Sequence, residues 1–241
     1  MYHCDRVIKA SFRECPINER ETFSHSSCLM PISIGQPVHE GDKLIATLKL
    51  VNKNFKQCVI LIDDTVQRHT LKILSPNKTL DTLYDQALGD GDRWLNEYKS
   101  YINQCLNISY KIIRWDKWLY HKNYKNYQEA VLKLYDNNVL FKEAFDKNIF
   151  NFLSRFSSKH GLETSFDWNK SALICLDYLI EECACMCLWV EEKCEFELYP
   201  TGRNESMSAT YEYLISPNYP GLLKPVALRF KKYGIKERNI H

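Results

Sequence analysis

The sequence lacks the long apolar runs that membrane-spanning and exported proteins need. No stretch of its 241 residues approaches the roughly 20 apolar residues of a membrane-spanning helix. Its first residues, MYHCDRVIKASF, carry charges where a secretory signal would need an apolar segment. We therefore expect a cytoplasmic protein with no membrane partner.

Several catalytic and phosphate-binding motifs are missing as well. The chain has no G-x-S-x-G nucleophile elbow, no G-x-G-x-x-G fingerprint and no Walker phosphate loop. Its net charge of +2 does not indicate a partner by itself. Serine hydrolase chemistry and nucleotide-phosphate binding are therefore poorly supported.

Cysteine is present but does not form a metal-binding pattern. Of ten cysteines, the only cluster is Cys183, Cys185 and Cys187, inside a long apolar run and without a second cysteine pair at suitable spacing. Because free cysteine is among the most buried residue types, we favour core packing over metal binding. We expect no metal and no cofactor.

Alternating strand and helix patterns predict one α/β domain. Residues 28–34 and 58–62 read as apolar strands, joined by a helix that opens at Glu40 or Asp42. This order predicts a parallel sheet covered by helices on both faces. Further helices are expected over 79–104 (interrupted at Gly89-Asp90-Gly91), 125–157, 169–190 and near 207–215, and further strands over 108–114, 194–199 and near 225–230. We interpret residues 1–26 as an irregular lead-in and 27–241 as a single Rossmann-like domain.

Ser33 ends the first predicted strand, where doubly wound folds bind their ligands. A serine at this place can also do no more than cap a turn, and no histidine is placed by a motif to act as its base. Tyr178 and Glu182 stand at i and i+4, so both project from one face of the apolar helix. They either line a cavity or belong, with Asp177 and Glu181, to a solvated stripe.

Three segments, taken together, resemble the signature of the tRNA-dependent cyclodipeptide synthases. These are Ser33-Ile34-Gly35-Gln36, Tyr178 through Glu182, and Tyr199-Pro200. The stretch from Ala87 to Asp90, with Trp94, is similar to a mid-chain segment of that family. Gln36 and Tyr199-Pro200 resemble the branch with Tyr-Pro on the late strand, whereas Pro31 departs from the glycine that many members have there. On its own, Tyr199 could be an ordinary strand aromatic.

The resemblance implies a fold similar to the catalytic core of class I tyrosyl- and tryptophanyl-tRNA synthetases. It also implies an ATP-independent aminoacyltransferase that takes two aminoacyl-tRNAs and makes a cyclic dipeptide in a ping-pong reaction. Ser33 would carry the aminoacyl group, Tyr178 and Glu182 would hold its amine, and Tyr199 would assist proton transfer. HIGH- and KMSKS-type ATP motifs are absent from the chain. We expect a monomer.

Residues around this site are candidates for binding the first aminoacyl group. Leu29 shares a strand face with Ser33, Cys185 lies two turns beyond Tyr178, and Glu197 shares a face with Tyr199. If these converge, the pocket suits a polar or mixed side chain better than a purely aliphatic one. The predicted substrate-binding set is Leu29, Gly35, Gln36, Cys185, Glu197 and Pro200.

A basic and aromatic region supports tRNA as a partner. Residues 98–126 contain six Lys or Arg and only one acidic residue, with seven aromatic residues among them. Cations can neutralise phosphates, and aromatic rings can stack on unpaired bases. The alternative is a solvated face over an aromatic core. The predicted tRNA-binding residues are Arg93, Lys99, Lys111, Arg114 and Lys117. Further cations follow near the C-terminus at Arg229, Lys231, Lys232, Lys236 and Arg238.

Two other functions remain open from the sequence. One is a non-catalytic, synthetase-like tRNA-binding module, which would bind charged tRNA and form no covalent adduct. The other is a Rossmann transferase acting on a small metabolite, which would not bind tRNA.

Overall fold

A six-stranded sheet organises the computed structural model, which describes residues 6–13, 15, 17–161 and 167–234. Its order is β1-β6-β5-β2-β3-β4, and all neighbours are parallel except β1, which runs antiparallel to β6 at one edge. The strands are β1 (Arg6–Arg13), β2 (Ser27–Ser33), β3 (Gln57–Asp63), β4 (Ser109–Arg114), β5 (Phe196–Tyr199) and β6 (Lys224–Gly234). Strand order reverses between β2 and β5, so the predicted doubly wound sheet is confirmed.

Helices cover both faces of this sheet. They are α1 (Ile17–Thr22), α2 (Gly41–Asn54), α3 (Arg68–Leu74), α4 (Leu80–Cys105), α5 (Asp116–Leu119), α6 (Tyr124–Asn137), α7 (Val139–His160), α8 (Trp168–Leu188) and α9 (Glu205–Thr210). One face packs against α2 and α4 through a cluster that includes Met30, Leu48 and Trp94. The other packs against α8 through a cluster that includes Leu29 and Cys185. Because β2 and β3 are buried on both faces, their sequences are continuous apolar runs rather than alternating ones.

The helix α8 is the core element that its composition predicts. Its second half is buried nearly all round, and Cys183, Cys185 and Cys187 lie among apolar side chains. Burial raises the pKa of Cys187 to about 12, which keeps that thiol protonated at neutral pH. The core-packing interpretation of the cysteine cluster is therefore confirmed. Within the described ranges, no helix has the length and apolarity to span a membrane.

The N-terminal region differs from the predicted irregular lead-in. Arg6–Arg13 forms β1, paired residue by residue with positions 227–234 of β6, and Ile17–Thr22 forms α1. Ile8 and Phe12 are partly buried whereas Lys9 and Ser11 are exposed, a period-2 pattern of a half-covered strand. The sequence did not indicate this strand, because the run is short and contains charged residues. Its partner strand also lies more than 200 residues away in the chain. Residues 1–5 are outside the described ranges.

Two predicted helical regions also need correction. The region 125–157 is two helices, because Asn138 ends α6 and caps α7 with its side chain, accepting from Phe141 N–H at 3.0 Å. By contrast, Gly89-Asp90-Gly91 does not interrupt α4, which is continuous over its 26 residues. At Gly91 the side chains of Asp64 and Arg114 pack directly against the helix backbone. A Cβ at this position would lie 2.6 Å from Asp64 Oδ2 and 2.8 Å from Arg114 Nη2.

Gly91→Ala is therefore expected to destabilise the protein by about 1–3 kcal/mol, because the ion pair of Asp64 with Arg114 would have to move. Gly89→Ala is the matched control. Its new Cβ would meet only the Arg93 side chain at 3.8 Å, so helix propensity should leave stability unchanged or raise it by up to about 1 kcal/mol. Urea unfolding of both variants measures the difference. Equal stabilities would contradict the close-packing role of Gly91.

Candidate active site

A cavity of about 630 Å³ opens at the carboxyl ends of the central strands. Ser33, Asp63 and Tyr199 are the last residues of β2, β3 and β5. They therefore lie at the carboxyl-terminal end of the sheet, near the point where strand order reverses. Tyr178 and Glu182 of α8 form one wall. The remaining wall residues come chiefly from α3, α7 and the segment 201–207.

The predicted catalytic side chains meet in this cavity. Ser33 Oγ lies 3.0 Å from Tyr199 Oη, although 166 residues separate them in sequence. Tyr178 donates its hydroxyl to Glu182 Oε1 at 3.0 Å, across one helical turn. Asn204 donates to the other oxygen of Glu182 at 3.4 Å. The i, i+4 spacing predicted the Tyr178–Glu182 contact, whereas the Ser33–Tyr199 contact depends on how the strands pair.

Burial changes the protonation of this group. It raises the pKa of Glu182 to about 7, although hydrogen bonds from Tyr178 and Asn204 work in the opposite direction. It also raises the pKa of Tyr178 and of Tyr199, so both phenols stay protonated at neutral pH. The cavity therefore combines a serine, two phenols that can donate, and a carboxyl group that changes charge near neutrality.

The three carboxylates near the middle of α8 have separate surroundings. Asp177 is exposed, and Glu182 lines the cavity. Glu181 is buried and accepts hydrogen bonds from Arg68, from the Trp115 indole N–H at 2.9 Å and from His69 Nε2 at 3.1 Å. Only one of the three is therefore part of a solvated stripe.

Sequence reasoning missed several side chains at the site. Asn204 is bonded to Glu182 and Arg203 to Glu197, while His39 and Asp63 lie beside Ser33. The Ser33 backbone N–H donates to His39 Nδ1 at 2.9 Å, and the His39 ring packs edge-on against Tyr199 at 5.1 Å. Burial lowers the pKa of His39 to about 4, so the ring is neutral. Asp63 pairs directly with Ser33 in the β2–β3 register. The acidic end of the run CVILIDD was a usable signal for Asp63.

The turn after Ser33 holds the nearest predicted substrate-binding residues. Gly35 has φ of +78°, a backbone conformation that glycine adopts without strain. It faces a second, smaller cavity beside α4, while Gln36 lines the main cavity next to Ser33. Pro200 is buried after Tyr199, and its carbonyl accepts from Leu228 N–H at 3.3 Å.

The three residues predicted to converge on the aminoacyl side chain lie deeper. Leu29 and Cys185 are fully buried in one apolar cluster, and neither lines the main cavity. Glu197 is beside Leu29 in the sheet and 1% exposed. Its Oε2 accepts from Arg203 Nε at 2.9 Å, so Arg203, which does line the cavity, balances its charge. Their substrate-binding role stays a prediction.

The predicted tRNA-binding cations differ in whether they form ion pairs within the protein. Lys99 is exposed on α4, and Arg93, although 74% exposed, pairs with Asp90. Lys111 and Lys117 both pair with Glu192. Arg114 connects α4 to the sheet by binding Asp64, Asp92 and the Leu88 carbonyl. Arg114 therefore has a structural role that the charge count did not reveal. Lys236 and Arg238 lie outside the described residues.

Comparison with solved structures identifies relatives along nearly the whole chain. A structure of a cyclodipeptide synthase (CDPS) from Fluoribacter dumoffii is 51% identical, covers 95% of this chain and 100% of its own, and superposes with a TM-score of 0.91. A cyclodipeptide synthase from Candidatus Glomeribacter gigasporarum, solved bound to Phe-tRNAPhe, is 22% identical, covers 88% of this chain and 89% of its own, and has a TM-score of 0.72.

A Mycobacterium tuberculosis protein, described as relating cyclodipeptide synthetases to type I tRNA synthetases, is 11% identical over 97% of this chain and 96% of its own, with a TM-score of 0.59. These last two likenesses concern the fold. No protein-family model and no curated protein sequence matches the chain. At 51% identity over almost all of both chains, together with the cavity described above, this protein belongs to the cyclodipeptide synthase family of enzymes.

Proposed function

We propose that this enzyme joins the amino acids of two aminoacyl-tRNAs into a cyclic dipeptide, a 2,5-diketopiperazine, through an aminoacyl-enzyme on Ser33. The observation that carries the proposal is the contact of Ser33 with Tyr199 in the cavity that also holds the Tyr178–Glu182 pair. The binding of Phe-tRNAPhe by a relative of the same fold supports charged tRNA as the substrate.

In the first half-reaction, Ser33 Oγ attacks the ester carbonyl of the first aminoacyl-tRNA. A new ester bond forms to Oγ, the bond to the ribose oxygen breaks, and tRNA leaves with a proton. Tyr178 and Glu182 hold the amino group of the acyl chain by charge-assisted hydrogen bonds. Because an aminoacyl ester is already activated, moderate activation of Ser33 is enough.

In the second half-reaction, the amine of a second aminoacyl-tRNA attacks the Ser33 ester. Ser33 Oγ leaves and regains its proton, and a dipeptidyl-tRNA forms. The free amine of that dipeptide then attacks its own ester, which closes the ring and releases tRNA. Tyr199 stays protonated and is therefore suited to donate a hydrogen bond to Oγ in both half-reactions.

Finer assignments follow from the same residues. We infer from Gln36 and Tyr199-Pro200 that the enzyme belongs to the Tyr-Pro branch of the family. Gln36, which lines the cavity next to Ser33, contacts the first aminoacyl group. Leu29, Cys185 and Glu197 support the cavity wall from beneath, and Gly35 and Pro200 hold the backbone next to Ser33 and Tyr199. We expect a cytoplasmic monomer that uses no ATP.

Production of the enzyme in a bacterium tests this function. Mass spectrometry of the medium is expected to detect a cyclic dipeptide that is absent from the same host carrying an empty vector. A medium without any diketopiperazine, from cells that contain folded enzyme and charged tRNA, would contradict the proposal.

An exposed basic surface next to the cavity is suited to the tRNA acceptor arm. Beyond the end of β5, β1 and residues 227–234 of β6 continue as a two-stranded ribbon. Its solvent face carries Lys9, Lys231 and Arg229, which we call the basic ribbon. This face adjoins the cavity. Gly202 lines the cavity, and a Cβ atom built on it would lie 3.7 Å from the Cβ of Ala227, the first residue of the β6 part of the ribbon.

Reversing the charge of the basic ribbon (Lys9→Glu, Arg229→Glu and Lys231→Glu together) is expected to weaken binding of charged tRNA at least about tenfold at low salt. The slope of log affinity against log salt should fall by roughly 0.7–0.9 for each phosphate that the variant no longer neutralises. A filter-binding salt titration measures both. The matched control reverses three exposed lysines outside the ribbon, Lys53, Lys133 and Lys170. An equal weakening in the control would assign the effect to net charge rather than to this surface.

A further inference from the structure

Asp63 is a buried carboxylate beside the nucleophile that the proposed mechanism does not use. It ends β3 directly opposite Ser33, lines the cavity and is 6% exposed. Its Oδ2 lies 3.5 Å from Ser33 Oγ. Its Oδ1 is buried without a hydrogen-bond partner among the described residues. Such a group is costly to bury, so its place needs an explanation.

The hydrogen bonds around Ser33 determine where its proton points. The Ser33 hydroxyl has one hydrogen, and two neighbours compete for it, Tyr199 and Asp63. Tyr199 can donate to Oγ, whereas an ionised Asp63 can only accept. The arrangement that satisfies both has Tyr199 donating to Ser33 and Ser33 donating to Asp63. The serine proton is then directed at the Asp63 carboxylate.

The other groups around Ser33 are unsuited to take this proton. His39 Nδ1 already accepts from the Ser33 backbone N–H, which leaves Nε2 as the protonated nitrogen. Tyr199 is a phenol whose pKa burial raises further, so it is a donor. Glu182 is bonded to Tyr178 and Asn204 and makes no described contact with Ser33.

We propose that Asp63 is the general base that accepts the Ser33 proton during aminoacyl transfer, an inference that rests on the proposed function of Ser33. As Oγ bonds to the acyl carbon, its proton moves to Asp63 Oδ2. As the bond from the acyl carbon to the ribose oxygen breaks, that oxygen takes the proton. When the second substrate's amine displaces Oγ, Asp63 takes a proton from that amine and passes it to the departing serine oxygen, so the enzyme is ready for another turnover. The 3.5 Å separation is long for a hydrogen bond. We expect it to shorten when the substrate binds, as catalytic hydrogen bonds commonly do.

The surroundings of Asp63 set the sign of the expected pH dependence. Burial raises its pKa, and the neighbouring carboxylates of Glu182, Asp64 and Glu197 raise it further. The other titratable groups that interact with it are Tyr178, Cys185 and Tyr199. His39 packs against Tyr199, and Arg203 is bonded to Glu197. Since only ionised Asp63 accepts a proton, the rate of acylation should fall as pH falls through its pKa. The ammonium group of the substrate favours the ionised form.

Single-turnover acylation tests the inference. Wild-type enzyme in excess is mixed with bacterial tRNA charged with radiolabelled amino acids, and label bound to protein is followed from about pH 5 to about pH 8. Asp63→Asn is expected to acylate at least about a hundredfold more slowly, and the acidic fall in rate should disappear. Asp177→Asn, an exposed carboxylate on α8, is the matched control and should match wild type.

Each outcome decides a different question. A wild-type enzyme that takes up no label would overturn the proposed function itself. An Asp63→Asn variant with the wild-type rate, or with a lower rate and an unchanged pH profile, would overturn the role of Asp63 alone. If Asp63→Asn does not fold, the Glu182→Gln variant is measured instead. An acylation rate that still falls at low pH in this variant supports Asp63 as the base, and a rate that no longer depends on pH overturns that role.

Discussion

Replacing Ser33 by alanine is expected to abolish covalent capture of the aminoacyl group and to lower cyclic dipeptide output by at least about a thousandfold. The variant lacks the only atom to which the acyl chain is bonded in the proposed mechanism. Tyr178, Glu182 and Tyr199 would still bind the substrate, but none of them is placed and ionised to replace the serine oxygen.

The same substitution should leave the fold intact. The variant no longer has the hydroxyl that meets Tyr199 and Asp63, whereas its backbone N–H at position 33 still donates to His39. The expected change in stability is about 1 kcal/mol. A thermal melt of the variant can therefore separate an inactive enzyme from an unfolded one.

Intact-protein mass spectrometry after mixing with charged tRNA measures the adduct. Wild type should gain the mass of one aminoacyl group, located on the peptide that contains Ser33. Ser33→Cys should gain the same mass as a thioester, and Ser109→Ala, an exposed serine at the start of β4, should behave as wild type. An adduct that survives in Ser33→Ala would remove Ser33 from the mechanism.

Glu181→Ala is expected to cost about 3–5 kcal/mol of folding stability, the largest effect away from the nucleophile. Glu181 is 4% exposed, and both nitrogens of the Arg68 fork bind it. Truncation leaves the half-buried Arg68 guanidinium without its carboxylate partner and the buried Trp115 N–H without its acceptor. Trp115 is 1% exposed, so its N–H cannot reach water without disturbing the packing around it.

The pH dependence of this effect has a definite sign. Burial alone would raise the pKa of Glu181, but the hydrogen bonds from His69 and Arg68 outweigh it and hold the pKa below its usual value. A carboxyl group whose pKa is lower in the folded state stabilises the protein above its unfolded pKa. That contribution disappears as pH falls through the folded value. The difference between wild type and Glu181→Ala should therefore shrink in acid.

Urea unfolding at neutral and acidic pH measures both expectations. Asp177→Ala, one turn earlier on the same helix and exposed, is the matched control and should change stability by no more than about 0.5 kcal/mol. Similar destabilisation of the two variants would contradict the buried network around Glu181.

Sequence patterns were sufficient wherever one element decides the outcome alone. The apolar runs of β2 and β3, the helix α8 and the i, i+4 contact of Tyr178 with Glu182 all follow from local spacing. The strand-end position of Ser33 follows in the same way. Such features depend on helical or strand periodicity, which residues close in the chain establish by themselves.

Features that depend on distant partners required the tertiary structure. The spacing on α8 did not reveal that Glu181 binds Arg68, 113 residues away, while Glu182 faces the cavity. Charge counting did not reveal that Arg114 forms an ion pair with Asp64, because the two residues belong to different elements. Strand pairing is decided by the whole sheet, so periodicity leaves register and neighbours open.

The sequence by itself therefore determined the family, the α/β class and the four side chains expected to act on the substrate. The tertiary structure decided which groups surround them. It placed Tyr199 against Ser33, put Asp63 opposite Ser33 through the β2–β3 register, and made β1 and β6 a basic ribbon beside the cavity. The physical reason is that each side chain's direction is a local property, whereas its partner is set by packing between elements that are far apart in the chain.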